Sequence, residues 1–116
     1  SDATLLPSRI EAELYTFNGK SIPAVTVSAS RNKEGVIHIS LTNADPKTSQ
    51  EIVCELKGFS PEYVEGKMIT AEAINAFNDF GNAEAVNIQS FDGERIFGNK
   101  ILLTLPAKSV LMLEAH

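Results

Sequence analysis

The feature that most constrains the fold of this chain is a period of two in its apolar residues. In residues 24–30 every second residue is apolar, and small Thr and Ser residues stand between them. The same alternation recurs in residues 37–42 and 51–56. Because successive side chains of a β-strand point to opposite faces, this spacing predicts strands with one buried face and one polar face.

The segments between these runs have the composition of turns. Residues 31–35 are polar and end in Gly35, which suits a hairpin connection. Residues 43–46 combine Asn, Asp and Pro, which interrupt strands. We therefore predict that residues 24–56 form three strands in meander order.

Further strands are predicted at residues 9–17, 68–73, 100–105 and 109–114, with Gly98 and Asn99 as a tight turn and Pro106 separating the last two. Residues 70–80 contain helix-forming Ala and Glu, but their Asn and Asp residues and the following Gly81 favour a strand and then a structured loop. About seven short strands separated by turns predict an all-β fold, an antiparallel β-sandwich with little or no helix.

Composition and charge limit the classes of partner that this chain is expected to bind. The 116 residues include 10 Lys and Arg against 15 Asp and Glu, giving a net charge of -5, and the basic residues are scattered singly. A nucleic-acid binder needs a basic stripe, so neither nucleic acid nor an anionic membrane is an expected partner. The longest apolar run, residues 110–113, is far shorter than the roughly 18 residues of a membrane span.

Motifs for metal, nucleotide or nucleophilic chemistry are absent from the sequence. Cys54 is the single cysteine, which excludes an intrachain disulfide and indicates a small core residue rather than a nucleophile. His38 and His116 would form a metal site with Asp45 or Asp92 only if the fold assembled them. We expect His38 to be a surface or domain-contact residue and His116 to be a flexible terminus.

Two pairs of glutamates have the spacing to be considered for glycoside hydrolysis, which uses carboxyls about 5 Å or about 6.5 to 9.5 Å apart. Glu51 and Glu55 share one face of a strand but lie about 13 Å apart along it, and Glu11 and Glu13 lie about 7 Å apart. Neither pair has the apolar surroundings that raise a carboxyl pKa. All four are predicted to be solvated, so the sequence predicts no catalytic, cofactor-binding or metal-binding residues.

Aromatic residues are few, with six Phe, two Tyr and no Trp. A sugar-binding platform needs exposed aromatic rings, and this supply is small. The phenylalanines of the second half, Phe77, Phe80, Phe91 and Phe97, are predicted to be core anchors under a long loop.

Ordered motifs nonetheless extend over most of the chain. They are YTFNG at 15–19, IPAV at 22–25, VSASR at 27–31, IHISLTN with DP at 37–46, ITA at 69–71, NAFNDF at 75–80, AV through F at 85–91, and LPAKSVLML at 105–113. This set resembles the C-terminal domain of α-L-arabinofuranosidases of glycoside hydrolase family 51. Phe77, Asp79 and Ile88 depart from the His, Thr and Pro common in that family.

The resemblance implies a jelly-roll type β-sandwich that packs on the catalytic (β/α)₈ barrel of a longer parent chain. Such parents are retaining hydrolases that release terminal α-L-arabinofuranosyl groups from arabinoxylan, arabinan and arabinogalactan. Their two catalytic glutamates lie in the barrel, and no position here matches either motif. The resemblance thus implies a non-catalytic accessory domain that needs no cofactor.

Alternatives remain open at this point. They are a polysaccharide-binding module, an immunoglobulin-like interaction domain, although the Cys pair and Trp typical of that fold are missing, and a small independent hydrolase. We expect residues 1–8 to be a tag or linker remnant and residues 9–116 to form the domain, which as an isolated piece would tend to self-associate through an unpaired strand edge. The sequence leaves the cellular compartment open.

Overall fold

The structure, a computed structural model, describes residues 8–70 and 88–116. These residues form antiparallel strands and contain no helix. The strands are β1 (Ser8–Arg9), β2 (Ala12–Thr16), β3 (Val25–Arg31), β4 (Ile37–Asn43), β5 (Gln50–Leu56), β6 (Val64–Thr70), β7 (Gln89–Phe91), β8 (Arg95–Phe97), β9 (Lys100–Leu105) and β10 (Ser109–Ala115).

Two sheets make up the fold of the described residues. One has six strands in the order β1-β3-β4-β10-β6-β7, and the other has four in the order β2-β5-β9-β8. Every neighbouring pair is antiparallel. This arrangement confirms the predicted all-β sandwich.

The core lies between the two sheets and follows the period of two. The strands β4 and β10 turn Ile37, Ile39, Leu41, Leu111 and Leu113 inward, and β5 and β9 meet them with Ile52, Cys54, Leu56, Ile101, Leu103 and Leu105. Cys54 is fully buried, and its burial raises the thiol pKa to about 12. The interpretation of Cys54 as a core residue is confirmed.

The predicted three-stranded meander is correct only for its first hairpin. The strands β3 and β4 pair from Val25↔Asn43 to Arg31↔Ile37, and Gly35 in their loop has a φ of 84° that favours glycine. The strand β5 then crosses to the other sheet and pairs with β2 and β9, while β10 lies beside β4. A strand with one apolar face can bury that face equally well from either sheet, so the local sequence does not determine the sheet to which the strand belongs.

Residues 9–17 form two strands in different sheets instead of the single strand predicted. The strand β1 pairs with β3, and Ile10 continues this pairing by donating its backbone N–H to the oxygen of Ala29 at 3.1 Å. The chain then leaves the six-stranded sheet, and β2 pairs with β5. Residues 9–17 thus link the two sheets at their edges.

The other predicted strands have clear outcomes. The predictions at 100–105 and 109–114 are confirmed by β9 and β10, which Pro106 separates and which lie in different sheets. Gly98 and Asn99 form the predicted tight turn between β8 and β9. The strand predicted at 68–73 begins earlier, at Val64, and its continuation beyond Thr70, with the loop predicted up to residue 80, lies outside the described residues.

Two short strands, β7 and β8, have no counterpart in the sequence analysis, because three residues are too few to show a period. The predictions for the four phenylalanines have different outcomes. Phe91 packs against the core, Phe97 is 64% exposed on the edge strand β8 and is therefore not a core anchor, and Phe77 and Phe80 lie outside the described residues. No helix of the described part of the chain has the length and apolar character of a membrane span.

Candidate functional site

A groove of about 750 Å³ lies on the outer face of the six-stranded sheet. Its floor carries the polar side of the alternating pattern, including Ser28 of β3, Ser40 of β4 and Lys67 of β6. Met112 of β10 and Ile88, both exposed, add apolar surface to it. The walls of the groove contain hydroxyl, charged and aliphatic groups.

One end of this groove holds a row of charged side chains across three strands. Glu114 of β10 lies directly opposite His38 of β4 on one side and Glu65 of β6 on the other. His38 Nε2 is 3.9 Å from Glu114 Oε1, and Asn32 Nδ2 lies 3.1 Å from the same nitrogen. The prediction of His38 as a surface residue is confirmed, and the acidic residue beside it is Glu114, not Asp45 or Asp92.

His116 joins the same row and is not the flexible terminus that the sequence predicts. Its backbone N–H donates to the oxygen of Tyr63 at 2.9 Å, and its oxygen accepts from the N–H of Glu62 at 2.6 Å. Its ring stacks on Tyr63 with centroids 4.5 Å apart and 5° between the planes. These contacts hold the imidazole beside Glu65, with Nε2 3.2 Å from Oε1.

A second group of charges lies on the outer face of the four-stranded sheet. Glu13 of β2 and Glu55 of β5 are cross-strand partners, and the ammonium of Lys57 lies 3.5 Å from Glu13 and 3.2 Å from Glu55. Tyr15 donates its hydroxyl to Oε1 of Glu55 at 2.7 Å. The fold therefore joins one member of each glutamate pair considered from the sequence, across two strands instead of along one.

The electrostatics of this group do not favour acid catalysis. The hydrogen bond from Tyr15, with the neighbouring Lys57, holds the pKa of Glu55 below its ordinary value. A glycosidase proton donor requires the opposite shift, which apolar burial produces. Glu11, Glu13 and Glu51 are exposed as predicted, whereas Glu55 is partly covered by Tyr15 and Lys57.

The motif at residues 37–46 has a structural role in the fold. The amide of Asn43 is buried and donates to the oxygens of Leu105 at 3.1 Å and Pro106 at 3.2 Å. Asp45 Oδ1 accepts from the backbone N–H groups of Lys47 and Thr48, both at 2.9 Å, and these bonds lower its pKa. The motif thus closes the connection between the two sheets.

These observations define a class of protein, a β-sandwich domain with open polar outer faces, and comparison with known proteins identifies the family. The sequence model of the family described as alpha-L-arabinofuranosidase C-terminal domain matches residues 1–109. An intracellular exo-alpha-L-arabinofuranosidase of Bacteroides ovatus is 35% identical over 114 residues, which are 97% of this chain and 22% of that protein.

Solved structures agree with this relationship. The GH51 arabinofuranosidase from Xanthomonas axonopodis pv. citri matches with a TM-score of 0.69 and 34% identity over 90% of this chain and 21% of that one. The catalytic domain of GH30 xylanase C from Talaromyces cellulolyticus matches with a TM-score of 0.57 and 19% identity over 80% of this chain and 18% of that one, a similarity of fold alone.

The chain belongs to the alpha-L-arabinofuranosidase C-terminal domain family, a family of accessory domains in longer proteins. It spans about a fifth of the length of the relatives it matches. The resemblance found in the sequence motifs is thereby confirmed.

Proposed function

We propose that this chain is the non-catalytic C-terminal domain of an α-L-arabinofuranosidase, in which the remaining chain hydrolyses terminal, non-reducing α-L-arabinofuranosyl groups of arabinoxylan or arabinan. The observation that carries the proposal is the alignment of nearly the whole chain, 97% of it, with only 22% of a protein named as an exo-alpha-L-arabinofuranosidase. The charges on the outer face of the four-stranded sheet support it, because the pKa of Glu55, the least exposed glutamate there, is lowered, and a catalytic proton donor needs a raised pKa.

The partner in this proposal is the catalytic (β/α)₈ barrel of the same parent protein, with residues 9–116 as the domain and residues 1–8 as its leading segment. Aromatic side chains that the sandwich leaves in solvent support such a contact. Phe97 is 64% exposed, Tyr63 53% and Phe17 50%. Burial of such exposed aromatic side chains against another domain would be favourable.

The proposal is tested by comparing the isolated chain with the full-length parent on p-nitrophenyl α-L-arabinofuranoside at equal molar concentration. We expect the parent to be active and the isolated chain to release no nitrophenol above the buffer rate. A third sample, the parent with Glu55→Gln in this domain, should keep the parent's turnover. Activity of the isolated chain that Glu55→Gln abolishes would show instead that the domain has its own catalytic site.

The groove on the six-stranded sheet favours a second candidate function, direct binding of a polysaccharide. Its serine hydroxyls, together with His38, Lys67 and Glu114, converge on one concave surface. Against this candidate, the described lining contains no Phe, Tyr or Trp side chain for sugar stacking. Affinity electrophoresis in gels with and without arabinoxylan distinguishes the two: retardation favours the binding module, and equal mobility favours the accessory domain.

We also propose that the isolated domain self-associates weakly through the edge of β3. Among the residues that the structure describes, β1 and the following Ile10 pair with only the last three of the seven residues of β3, Ala29 to Arg31. An edge with few pairing partners is a template for another strand. Analytical ultracentrifugation over a wide concentration range should show a dimer at high concentration, and a monomer throughout would contradict the proposal.

A further inference from the structure

The charged row at one end of the groove places two like charges side by side. Glu65 and Glu114 are direct cross-strand neighbours, and both project from the outer face of the sheet. Like charges in this position destabilise a sheet. Lys67, the nearest lysine of β6, belongs to the next row, where it lies opposite Met112. A cation held between the two carboxylates would offset their repulsion.

The imidazole of His116 supplies a nitrogen donor to the same place. Its Nε2 is buried and has no hydrogen-bond partner of suitable geometry, although it lies 3.2 Å from Oε1 of Glu65. Two ligand atoms at roughly 2.0 to 2.2 Å from one tetrahedral ion are about 3.3 to 3.6 Å apart. The two atoms are slightly closer than this, so a small rotation of the exposed Glu65 side chain would bring them to the separation of two ligands on one ion, and the stacked Tyr63 ring fixes the imidazole in this position.

The third donor is within reach of the other two. The ligand atoms of Glu65, Glu114 and His116 all lie within 4.8 Å of one another. The side chains of Glu65 and Glu114 are 65% and 49% exposed, so rotation closes the widest separation without disturbing the core. His38 Nε2 already has Asn32 beside it, so His38 borders the site from the opposite side of Glu114.

We propose that Glu65, Glu114 and His116 form a binding site for one divalent transition-metal cation, and that Zn²⁺ is the ion best suited to it. One imidazole nitrogen and two carboxylate oxygens are ligands that Zn²⁺ accepts, and three protein ligands leave a fourth position for water. The proposed site joins β6 to β10 and differs from the sequence-based prediction that the chain has no metal-binding residues.

Isothermal titration of the untagged, EDTA-treated chain with Zn²⁺ tests this proposal. We expect one ion per chain, and an affinity at least about tenfold weaker in Glu114→Gln, Glu65→Gln and His116→Ala, because loss of a direct ligand should cost no less than loss of an outer-shell partner. Glu51→Gln is the matched control, since it removes the same charge from an exposed position on the other sheet. Its affinity should equal that of the unmodified chain.

Three further measurements separate a ligand role from a folding defect. Circular dichroism should show the same strand spectrum for each variant without metal, and Zn²⁺ should raise the melting temperature of the unmodified chain but not of Glu114→Gln. Co²⁺ should give visible absorption bands that Glu114→Gln loses. Absence of Zn²⁺ binding, or binding that the ligand variants and Glu51→Gln change equally, would overturn the proposal.

Discussion

Replacement of Asn43 by Asp tests how a single amide holds the two sheets together. Asn43 is 1% exposed, and its Nδ2 donates to the oxygens of Thr48, Leu105 and Pro106 at 3.0, 3.1 and 3.2 Å. Its Oδ1 accepts from the N–H of Asp45 at 3.0 Å. Asn43→Asp keeps the size and the accepting oxygen but puts a second oxygen where the amide donates to three carbonyl groups, of which that of Pro106 also accepts from the hydroxyl of Ser109 at 2.6 Å.

The size of the expected destabilisation follows from the burial of the three carbonyl groups. The bond to Leu105 is buried, and a buried polar group left without its partner costs about 1–3 kcal/mol. The carbonyls of Thr48 and Pro106 are partly buried and lose less, but all three dipoles also repel the introduced carboxylate. We expect Asn43→Asp to lower the free energy of unfolding by about 3–5 kcal/mol at pH 7, the upper range for a single substitution.

Urea denaturation followed by far-UV circular dichroism and tyrosine fluorescence measures this change, since the chain has two Tyr and no Trp. The exposed substitution Asn18→Asp is the control and should shift the unfolding free energy by less than about 0.5 kcal/mol. Burial and the carbonyls raise the pKa of the introduced carboxyl in the folded state. The destabilisation caused by the ionised carboxylate is therefore complete at a pH above the raised folded pKa. It decreases as the pH falls towards the pKa of about 3.9 that an Asp has in the unfolded chain.

The reasoning would be refuted if Asn43→Asp unfolded within about 1 kcal/mol of the unmodified chain at pH 7, the typical cost of an arbitrary substitution. A penalty that stayed constant between pH 7 and pH 3 would also contradict it, because the repulsion depends on the ionised form.

Two other substitutions test the packing of β6 and the charge cluster. Gly66→Ala places a Cβ 2.9 Å from the oxygen of Phe91 and 3.0 Å from Cδ2 of Leu113, so we expect about 1–3 kcal/mol of destabilisation, and an unchanged melting temperature would contradict the packing. Tyr15→Phe removes the hydrogen bond that chiefly lowers the pKa of Glu55, so that pKa should rise in a carboxyl NMR titration. Because the pKa of Glu55 is lower in the folded state than in the unfolded state, its ionisation stabilises the fold at a pH above the unfolded pKa. This contribution is lost as the pH falls through the folded pKa. The stability difference between Tyr15→Phe and the unmodified chain should therefore vanish in acid.

The local pattern alone predicts which side of β4 is buried, whereas in β5 Val53, on the predicted polar side, is also buried. Ile37, Ile39 and Leu41 face the core, as the alternation requires, and Cys54 is buried with its strand. Turn chemistry is equally local, which is why Gly35 and the Gly98–Asn99 pair mark two hairpins correctly. The ordered motifs also predict the family, and the comparisons confirm it.

The candidate site is largely a product of the tertiary structure. The candidate sites considered from the sequence are pairs of glutamates on one strand and combinations of histidines with aspartates. In the fold, Glu13 instead lies opposite Glu55, and Glu65 opposite Glu114, on neighbouring strands. One usable signal was present, the alternation that places Glu114 on the outer face. Its neighbours depend on which strands flank β10, and the sequence gives no local indication of them.

The sequence by itself determined most of the longer strands, the side of β4 that faces the core and the family, because side-chain alternation and turn preference act over a few neighbouring residues. The tertiary structure alone decided the sheet to which each strand belongs, the division of residues 9–17 between two sheets and the ordered position of His116. The physical reason is that backbone hydrogen bonds between strands are nearly independent of side-chain identity. Partner choice therefore depends on burying all the inner faces together, which is a property of the whole chain.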